Sequence, residues 1–182
     1  CNYVATIVPL LVLQLFLLPK VNSILSEENY GFVLTIISLV TMVTDAAGIS
    51  LNNVRLITDI DYSEENYKGD FNFIFIILVI PVSFAVLVVS AIYMGGISVV
   101  DLLGIFAMTV LFMGVRYYIV GFLIHLNYTK LMIGNLIQAV GYFIGYFIFK
   151  ATLYWQWIYI VGYALNLIYI FIRTSLIREG IR

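Results

Sequence analysis

The run from residue 71 to residue 100 contains no charged side chain, and this feature constrains the fold more than any other. A helix needs about 20 predominantly apolar residues to cross the hydrocarbon of a bilayer. Further runs with few or no charges occupy residues 1–19, 29–44, 102–115, 131–149 and 151–172. Over the whole chain 63% of the residues are hydrophobic and only 10% are charged, far from the balance of a soluble domain. The sequence therefore predicts an integral membrane protein with six spans.

The apolar runs are continuous, which favours helices over the ten-residue alternating segments of an outer-membrane barrel. We predict an all-α, six-helix transmembrane bundle that forms one domain over residues 1–182. The approximate limits of its helices are 3–25, 30–54, 71–94, 98–125, 131–149 and 153–175. The polar stretch 59–70 is predicted to be a solvated loop, and the other links are short. The chain opens on Cys1 without an initiator Met, so we expect a trimmed or partial chain.

Lysine and arginine set the orientation of membrane spans, because loops rich in these residues stay in the cytoplasm. With the N-terminus inside, six basic residues fall on the cytoplasmic side and two, Lys20 and Lys150, on the other. The six are Arg55, Lys68, Lys130, Arg173, Arg178 and Arg182. The sequence predicts a multi-pass membrane protein with both termini inside the cytoplasm.

The second predicted helix carries polar and small residues in an otherwise apolar span. On an α-helix they fall within an arc of about 100°. They are Ser38, Thr41, Asp45, Gly48, Asn52 and Arg55. A charged side chain in lipid costs about 2.5–3.5 kcal/mol, so this stripe is predicted to face other helices or a water-filled cavity. The alternative is a stripe that only joins helices through hydrogen bonds.

The last two predicted helices also carry polar faces. Asn135, Gln138 and Tyr142 share one face of the fifth helix, and Gly141 and Gly145 are spaced for close helix packing. On the sixth helix, Tyr163 belongs to a face that includes further tyrosines and Asn166. These tyrosines could stack on sugar rings, line a wet passage or belong to the core.

Arg116 in the fourth helix is predicted about nine residues, roughly 13 Å, from the cytoplasmic end of its span. His125 is nearer that end and is interpreted as an interfacial residue rather than a proton relay. The sequence contains no phosphate-binding GxxxxGK[ST] loop, HExxH zinc helix or GxSxG nucleophile elbow. These motifs give no indication of an ATPase or a hydrolase, and we predict a non-enzymatic protein that needs no cofactor.

The segment LPKVNSILSEENYGFVLTIISLVTMVTDAAGISLNNVR resembles the first two helices of polysaccharide biosynthesis proteins. These are the O-antigen and exopolysaccharide flippases of the multidrug/oligosaccharidyl-lipid/polysaccharide superfamily, whose fold is MATE-like. Tyr30-Gly31 matches the family's aromatic-Gly pair, and the spacing from Gly48 to Arg55 matches its Gly-to-Arg spacing. The family's Asp-x-Gly departs here by one position, since the chain reads Asp45-Ala-Ala-Gly48. The Trp-x-x-Gln-Gly signature that some O-antigen flippases carry early in the fourth helix is missing, which leaves the substrate branch open.

The resemblance implies one six-helix lobe of a lipid-linked oligosaccharide flippase, which pairs with a second lobe from the same longer chain or another copy. The implied substrate is an undecaprenyl-pyrophosphate-linked sugar unit among the membrane lipids, and no nucleic acid is involved. Arg55 and Arg116 are the candidates for the pyrophosphate, because arginine can offer a bidentate fork to phosphate oxygens. Asn52, Asn135, Gln138 and Tyr163 are the candidates for the sugars, and Asp45 for ion coupling.

Three other functions stay open at the sequence level. A cation-coupled multidrug exporter of the same superfamily would favour carboxylates and aromatic rings over arginines in its cavity. A polytopic enzyme of polysaccharide assembly would need catalytic residues in a sizeable outer loop, and the predicted outer links are short. A subunit of such an assembly that does not itself transport is the third.

Overall fold

The computed structural model describes residues 2–61, 68–96 and 98–174, and this part of the chain folds into six helical rods. Rod α1 consists of Asn2–Leu11, a π-helical segment Val12–Leu17 and Leu18–Asn22. Rod α2 consists of Glu27–Thr44, a second π-helical segment Asp45–Ile49 and Ser50–Asp61. The remaining rods are α3 Lys68–Met94, α4 Val99–Tyr118 with the short extension Val120–Leu123, α5 Tyr128–Thr152 and α6 Gln156–Arg173.

Among the described residues, five helices are long and apolar enough to cross a membrane. They are Glu27–Thr58, Gly69–Met94, Val99–Leu123, Tyr128–Thr152 and Gln156–Arg173, and a sixth apolar helix, Ile7–Asn22, is shorter. The described residues contain no strand. The predicted all-α membrane bundle is thereby confirmed.

Local side-chain chemistry sets the helix ends. The Ser26 hydroxyl accepts the backbone N–H of Asn29 at 3.3 Å, so α2 begins at Glu27 rather than at the predicted residue 30. Asn127 accepts the N–H of Lys130 and starts α5. Leu153, at φ 63°, ends α5 in a left-handed conformation that reverses the chain into α6.

The predicted loop 59–70 is shorter in the structure. Residues 59–61 continue α2 and residues 68–70 begin α3, while residues 62–67 lie outside the described residues. Arg178 and Arg182, which the predicted orientation used, also lie outside them.

The closest helix packing lies between α5 and α6 and depends on glycine. A Cβ atom at Gly141 would lie 2.7 Å from the Cα of Gly162, and one at Gly145 would lie 2.6 Å from the Cα of Ile158. Both distances are too short for any larger residue, so the predicted close approach at Gly141 and Gly145 is confirmed.

The other rods build outward from this pair. Rod α4 packs on α6, while α1 packs mainly on α5. Rod α2 packs on α3 and α4, and its contacts with α1 lie near the turn that joins them. Rods α1 and α2 therefore pack against different rods and contact each other mainly near the turn that joins them.

Candidate functional site

An ion pair between α2 and α4 lies partly exposed within two apolar rods. Arg116 Nε lies 2.7 Å from Asp45 Oδ1, and the two side chains retain 37% and 33% of their surface exposure. The guanidinium also lies over the Phe112 ring, 5.2 Å from its centroid. The pair lies about 10 Å, seven residues, from the end of the α4 extension, close to the predicted depth. The structure thus brings two of the sequence-predicted residues into direct contact.

Gly48 is what lets the two helices meet at this point. A Cβ atom on Gly48 would lie 2.9 Å from Arg116 Cβ and 3.3 Å from the carbonyl oxygen of Met113. Since any side chain there would push α2 away from α4, Gly48 sets the separation across which Asp45 reaches Arg116.

Asn52 continues the α2–α4 contact one turn further along. Its amide donates to the carbonyl oxygens of Arg116 at 3.0 Å and Tyr117 at 3.3 Å. Rod α4 is interrupted at Ile119, so its last carbonyls need donors other than the helical N–H groups. In this structure Asn52 is buried and supplies such a donor.

Arg55 lies in a closed polar network and has no exposed surface. Its Nη1 donates to the Tyr117 hydroxyl at 2.9 Å and to Asn72 Oδ1 at 3.3 Å. The Tyr117 hydroxyl also donates to Asn72 Oδ1 at 3.0 Å, and its ring stacks on Phe75 with centroids 4.7 Å apart. The network joins α2, α3 and α4, and a ligand could reach Arg55 only if these rods separated.

A second polar cluster links α5 and α6. Gln138 donates to the Tyr142 hydroxyl at 2.5 Å and accepts from the Asn166 amide at 2.7 Å. Tyr163 packs on Tyr142 and on Phe112, the latter with ring centroids 4.3 Å apart. Gln138 and Tyr163 are buried, whereas Asn135 on the same rod is partly exposed.

Phe112 connects the two clusters, because its ring contacts both the guanidinium of Arg116 and the ring of Tyr163. Arg116 and Tyr163 therefore contact one aromatic ring, with Asp45 paired to Arg116 and Gln138 linked to Tyr163 through Tyr142. Asn52 and Arg55 lie further along the same α2–α4 contact, within the α2–α3–α4 core.

The predicted stripe on α2 does not keep one environment. Ser38 is exposed, Asp45 is partly exposed, and Gly48, Asn52 and Arg55 are buried. The reason is the π-helical segment, because the buried series Ile36, Val40, Thr44, Gly48 and Asn52 has a uniform spacing of four residues. In a regular α-helix, residues 36 and 52 would point about 160° apart around the helix axis. The wider π-helical turn takes up one additional residue, which reduces this angle to about 60° and keeps the series on one face.

Sequence reasoning missed four polar residues that the structure places in networks. Asn72 and Tyr117 complete the Arg55 network, and Asp101 accepts from Gln156 Nε2 at 2.8 Å near the start of α4. A lone Asn in the apolar segment FNFIF and the helix-capping pattern Ser98-x-x-Asp101 were the available signals. Among the described residues, no group of three or more His, Cys, Asp or Glu could hold a metal ion.

Comparison with known proteins adds no relative: no protein-family model, curated protein or solved structure matches this chain.

Proposed function

We propose that this chain is one lobe of a flippase that moves a lipid-linked oligosaccharide across the bacterial cytoplasmic membrane. The observation that carries the proposal is the Asp45–Arg116 pair, one-third exposed within two apolar helices. An exposed charge pair at this depth is costly in lipid, so the face that holds it meets water or another protein lobe. A charged, wet face inside a membrane bundle is what a polar substrate needs.

Arg116 is the proposed ligand of the pyrophosphate. Its contact with Asp45 uses Nε, so the two terminal nitrogens can form a bidentate pair with phosphate oxygens. The Phe112 ring supports the flat face of the guanidinium. Arg55 is assigned to the structure of the lobe rather than to the substrate, because its side chain is enclosed and hydrogen-bonded.

Sugars present hydroxyl groups, to which an exposed amide side chain can form hydrogen bonds. Asn135 is partly exposed and is the proposed amide contact. Tyr163 and Gln138 are buried, and we assign them to holding Phe112 and the α5–α6 face in place. Asn52 is assigned to the α2–α4 joint, because its amide is engaged by the Arg116 and Tyr117 carbonyls.

The motif resemblance in α2 also supports the proposal. Between Asp45 and Gly48 the chain has two residues, one more than the family's Asp-x-Gly. The π-helical segment Asp45–Ile49 includes this additional residue. A π-helical turn accommodates one extra residue without rotating the flanking helix faces. The departure in sequence is thus absorbed locally, and the spacing from Gly48 to Arg55 is retained.

The proposal requires a second six-helix lobe, because the exposed pair on this lobe needs an opposite wall. With no nucleotide-binding motif in the sequence, the driving force is an ion gradient or the substrate gradient itself. Asp45 is the proposed carboxylate for ion coupling, through protonation or cation binding that releases Arg116.

A cation-coupled drug exporter is the second candidate, and one observation favours it. The exposed pair contains a carboxylate as well as a guanidinium, and Asp45 is partly accessible from the same side as Arg116. In that case Asp45 would bind the coupling cation or a cationic drug, and Arg116 would only modulate the affinity of Asp45 for that cation.

The test is genetic replacement in the encoding strain. Loss of the gene should trap lipid-linked oligosaccharide in the inner leaflet and remove the surface polysaccharide. Arg116→Ala at normal membrane abundance should give the same defect, and Arg116→Lys should restore part of the export because the charge remains without the fork. The control is Arg173→Ala, which removes an exposed arginine at the end of α6 and should leave export unchanged.

Full polysaccharide export by Arg116→Ala at matched abundance would refute the assigned role of Arg116. Drug sensitivity that depends on Asp45 while surface polysaccharide is normal would select the exporter.

A further inference from the structure

A shallow groove lies between the N-terminal ends of α4 and α6, far along α4 from Arg116. It encloses about 250 Å³. Its walls, which we call the α4–α6 groove, are Val100, Leu103, Gly104, Ala107, Tyr154, Gln156, Trp157 and Ile160. Gly104 helps to form it, because a Cβ atom there would lie 3.0 Å from Cγ of Gln156. The groove extends over about 10 Å of α4.

Asp101 lies beside one end of the groove, where it contacts the lining residue Gln156. Asp101 Oδ1 accepts from Gln156 Nε2 at 2.8 Å, and Asp101 Oδ2 accepts from the Ser98 hydroxyl at 2.6 Å. Gln156 lines the groove with 2% of its surface exposed, and its Oε1 has no hydrogen-bond donor among the described residues. An ionised carboxylate offers about four acceptor positions, of which these two contacts use two.

The charge at this end is complementary to a cation. Within the described part of the chain, no lysine, arginine or histidine forms an ion pair with Asp101. Trp157 and Tyr154 lie in the same groove, and Trp157 is exposed. The start of a membrane-spanning helix is at the headgroup level, where such aromatic residues are common.

We propose that the α4–α6 groove is a binding site for a phospholipid with an ethanolamine headgroup. One acyl chain lies along Leu103, Gly104 and Ala107, and the ammonium group donates hydrogen bonds to Asp101. A choline headgroup has no N–H to donate, and the Asp101 carboxylate repels an anionic headgroup. The groove therefore selects ethanolamine lipid over choline and glycerol lipids, and this inference is independent of the proposed transport function.

The two tryptophans of the chain provide a direct measurement. Trp155→Phe leaves Trp157, in the groove wall, as the only tryptophan. The full chain carrying this change is reconstituted into vesicles that contain equal parts of ethanolamine and choline phospholipid. Bromine atoms, which quench tryptophan fluorescence on contact, are placed on the acyl chains of one lipid class at a time.

We expect the brominated ethanolamine lipid to occupy the position beside Trp157 with a roughly threefold preference, because its headgroup gains a hydrogen bond to Asp101 that choline cannot form, and one net hydrogen bond has an effect of about this size. Asp101→Asn should make the two lipids quench equally. Asp70→Asn, which removes an exposed carboxylate at the start of α3, is the matched control and should keep the preference. Should Asp101→Asn fail to fold, Ala107→Phe fills the groove and should reduce quenching by both lipids.

Equal quenching by the two lipids with Asp101 intact would overturn the selectivity. Absence of quenching by either lipid would mean that protein covers the groove, and would also overturn the proposal.

Discussion

Arg55 and Arg116 have the same chemistry in the sequence and opposite environments in the structure. Arg55 has no exposed surface and hydrogen-bonds to Tyr117, whereas Arg116 retains 37% exposure and pairs with Asp45. Both were predicted to be cationic ligands, and the sequence offers no way to separate them. Their environments differ because the enclosing residues, Asn72 and Tyr117, come from two other helices.

The first prediction concerns the stability of the Arg55 network. Arg55→Met keeps much of the volume and removes the donor to Tyr117 and Asn72, so thermal stability in detergent should fall. We expect a loss of at least about 1.5 kcal/mol, the lower value for one hydrogen bond to a charged group. The exposed Arg173→Met is the control and should change stability little. Unchanged stability of Arg55→Met would show that the network contributes nothing to the fold.

The second prediction separates a structural ion pair from a binding site. Reversing both charges, with Asp45→Arg and Arg116→Asp together, keeps an opposite-charge pair across the same helices. Membrane abundance should recover relative to either single change, but polysaccharide export should not, because the cation has moved from α4 to α2. Export restored to the wild-type level by the double variant would mean that the pair has only a structural role.

At the scale of the helices, the sequence predicted the elements well and the face of α2 poorly. Charge-free runs located all six rods, although α2 ends at Asp61 rather than at the predicted residue 54, and glycine spacing predicted a close helix contact on α5. The α2 stripe was derived with a constant 100° per residue, which fails at the π-helical segment Asp45–Ile49. No sequence periodicity marks that segment, since it follows from which residues the neighbouring rods bury.

The third prediction tests this extra residue. Deleting Ala46, an exposed residue in the π-helical segment, should convert the segment to regular α-helix while both flanking faces keep their neighbours. Deleting Ser38, an exposed residue in the α-helical part, should instead rotate one part of α2 against the other by about 100°. The protein lacking Ala46 should therefore remain folded in the membrane and the protein lacking Ser38 should not. Equal loss of both in a membrane-abundance assay would refute the assigned register.

The fourth prediction concerns the joint between α2 and α4. Gly48→Ala places a methyl group 2.9 Å from Arg116 Cβ, and the overpacking should cost about 1–3 kcal/mol. Gly31→Ala is the matched control on the same rod, since a Cβ atom there meets nothing within 4 Å. Cysteine cross-linking between α2 and α4 should weaken in the first variant only. An unchanged cross-linking yield would show that Gly48 does not set the helix separation.

At the scale of the whole molecule, the fold class followed from hydropathy alone, whereas the site did not. Hydropathy shows that a helix is removed from water. All the rods share this property, so hydropathy does not tell which rods are neighbours. The Asp45–Arg116 contact depends instead on which rods are neighbours, because α2 packs on α4 and α1 packs on α5. Such neighbour choices arise from the fit of small and large side chains across several rods, which one sequence does not display.

The final prediction is the orientation of the bundle, for which six basic residues against two favour both termini inside. The described links between rods are short enough to make neighbouring rods antiparallel, so the ends of the molecule alternate between the two sides. A reporter enzyme fused after Gly96, in the link between α3 and α4, should be active outside the cytoplasm, and one fused at residue 182 should be active inside. Orientation also decides which leaflet holds the Asp45–Arg116 pair: with both termini inside, the pair lies toward the cytoplasm, where a lipid-linked substrate is assembled before export. A C-terminal fusion active outside the cytoplasm would invert the bundle and remove the pair from the leaflet in which the proposed substrate begins.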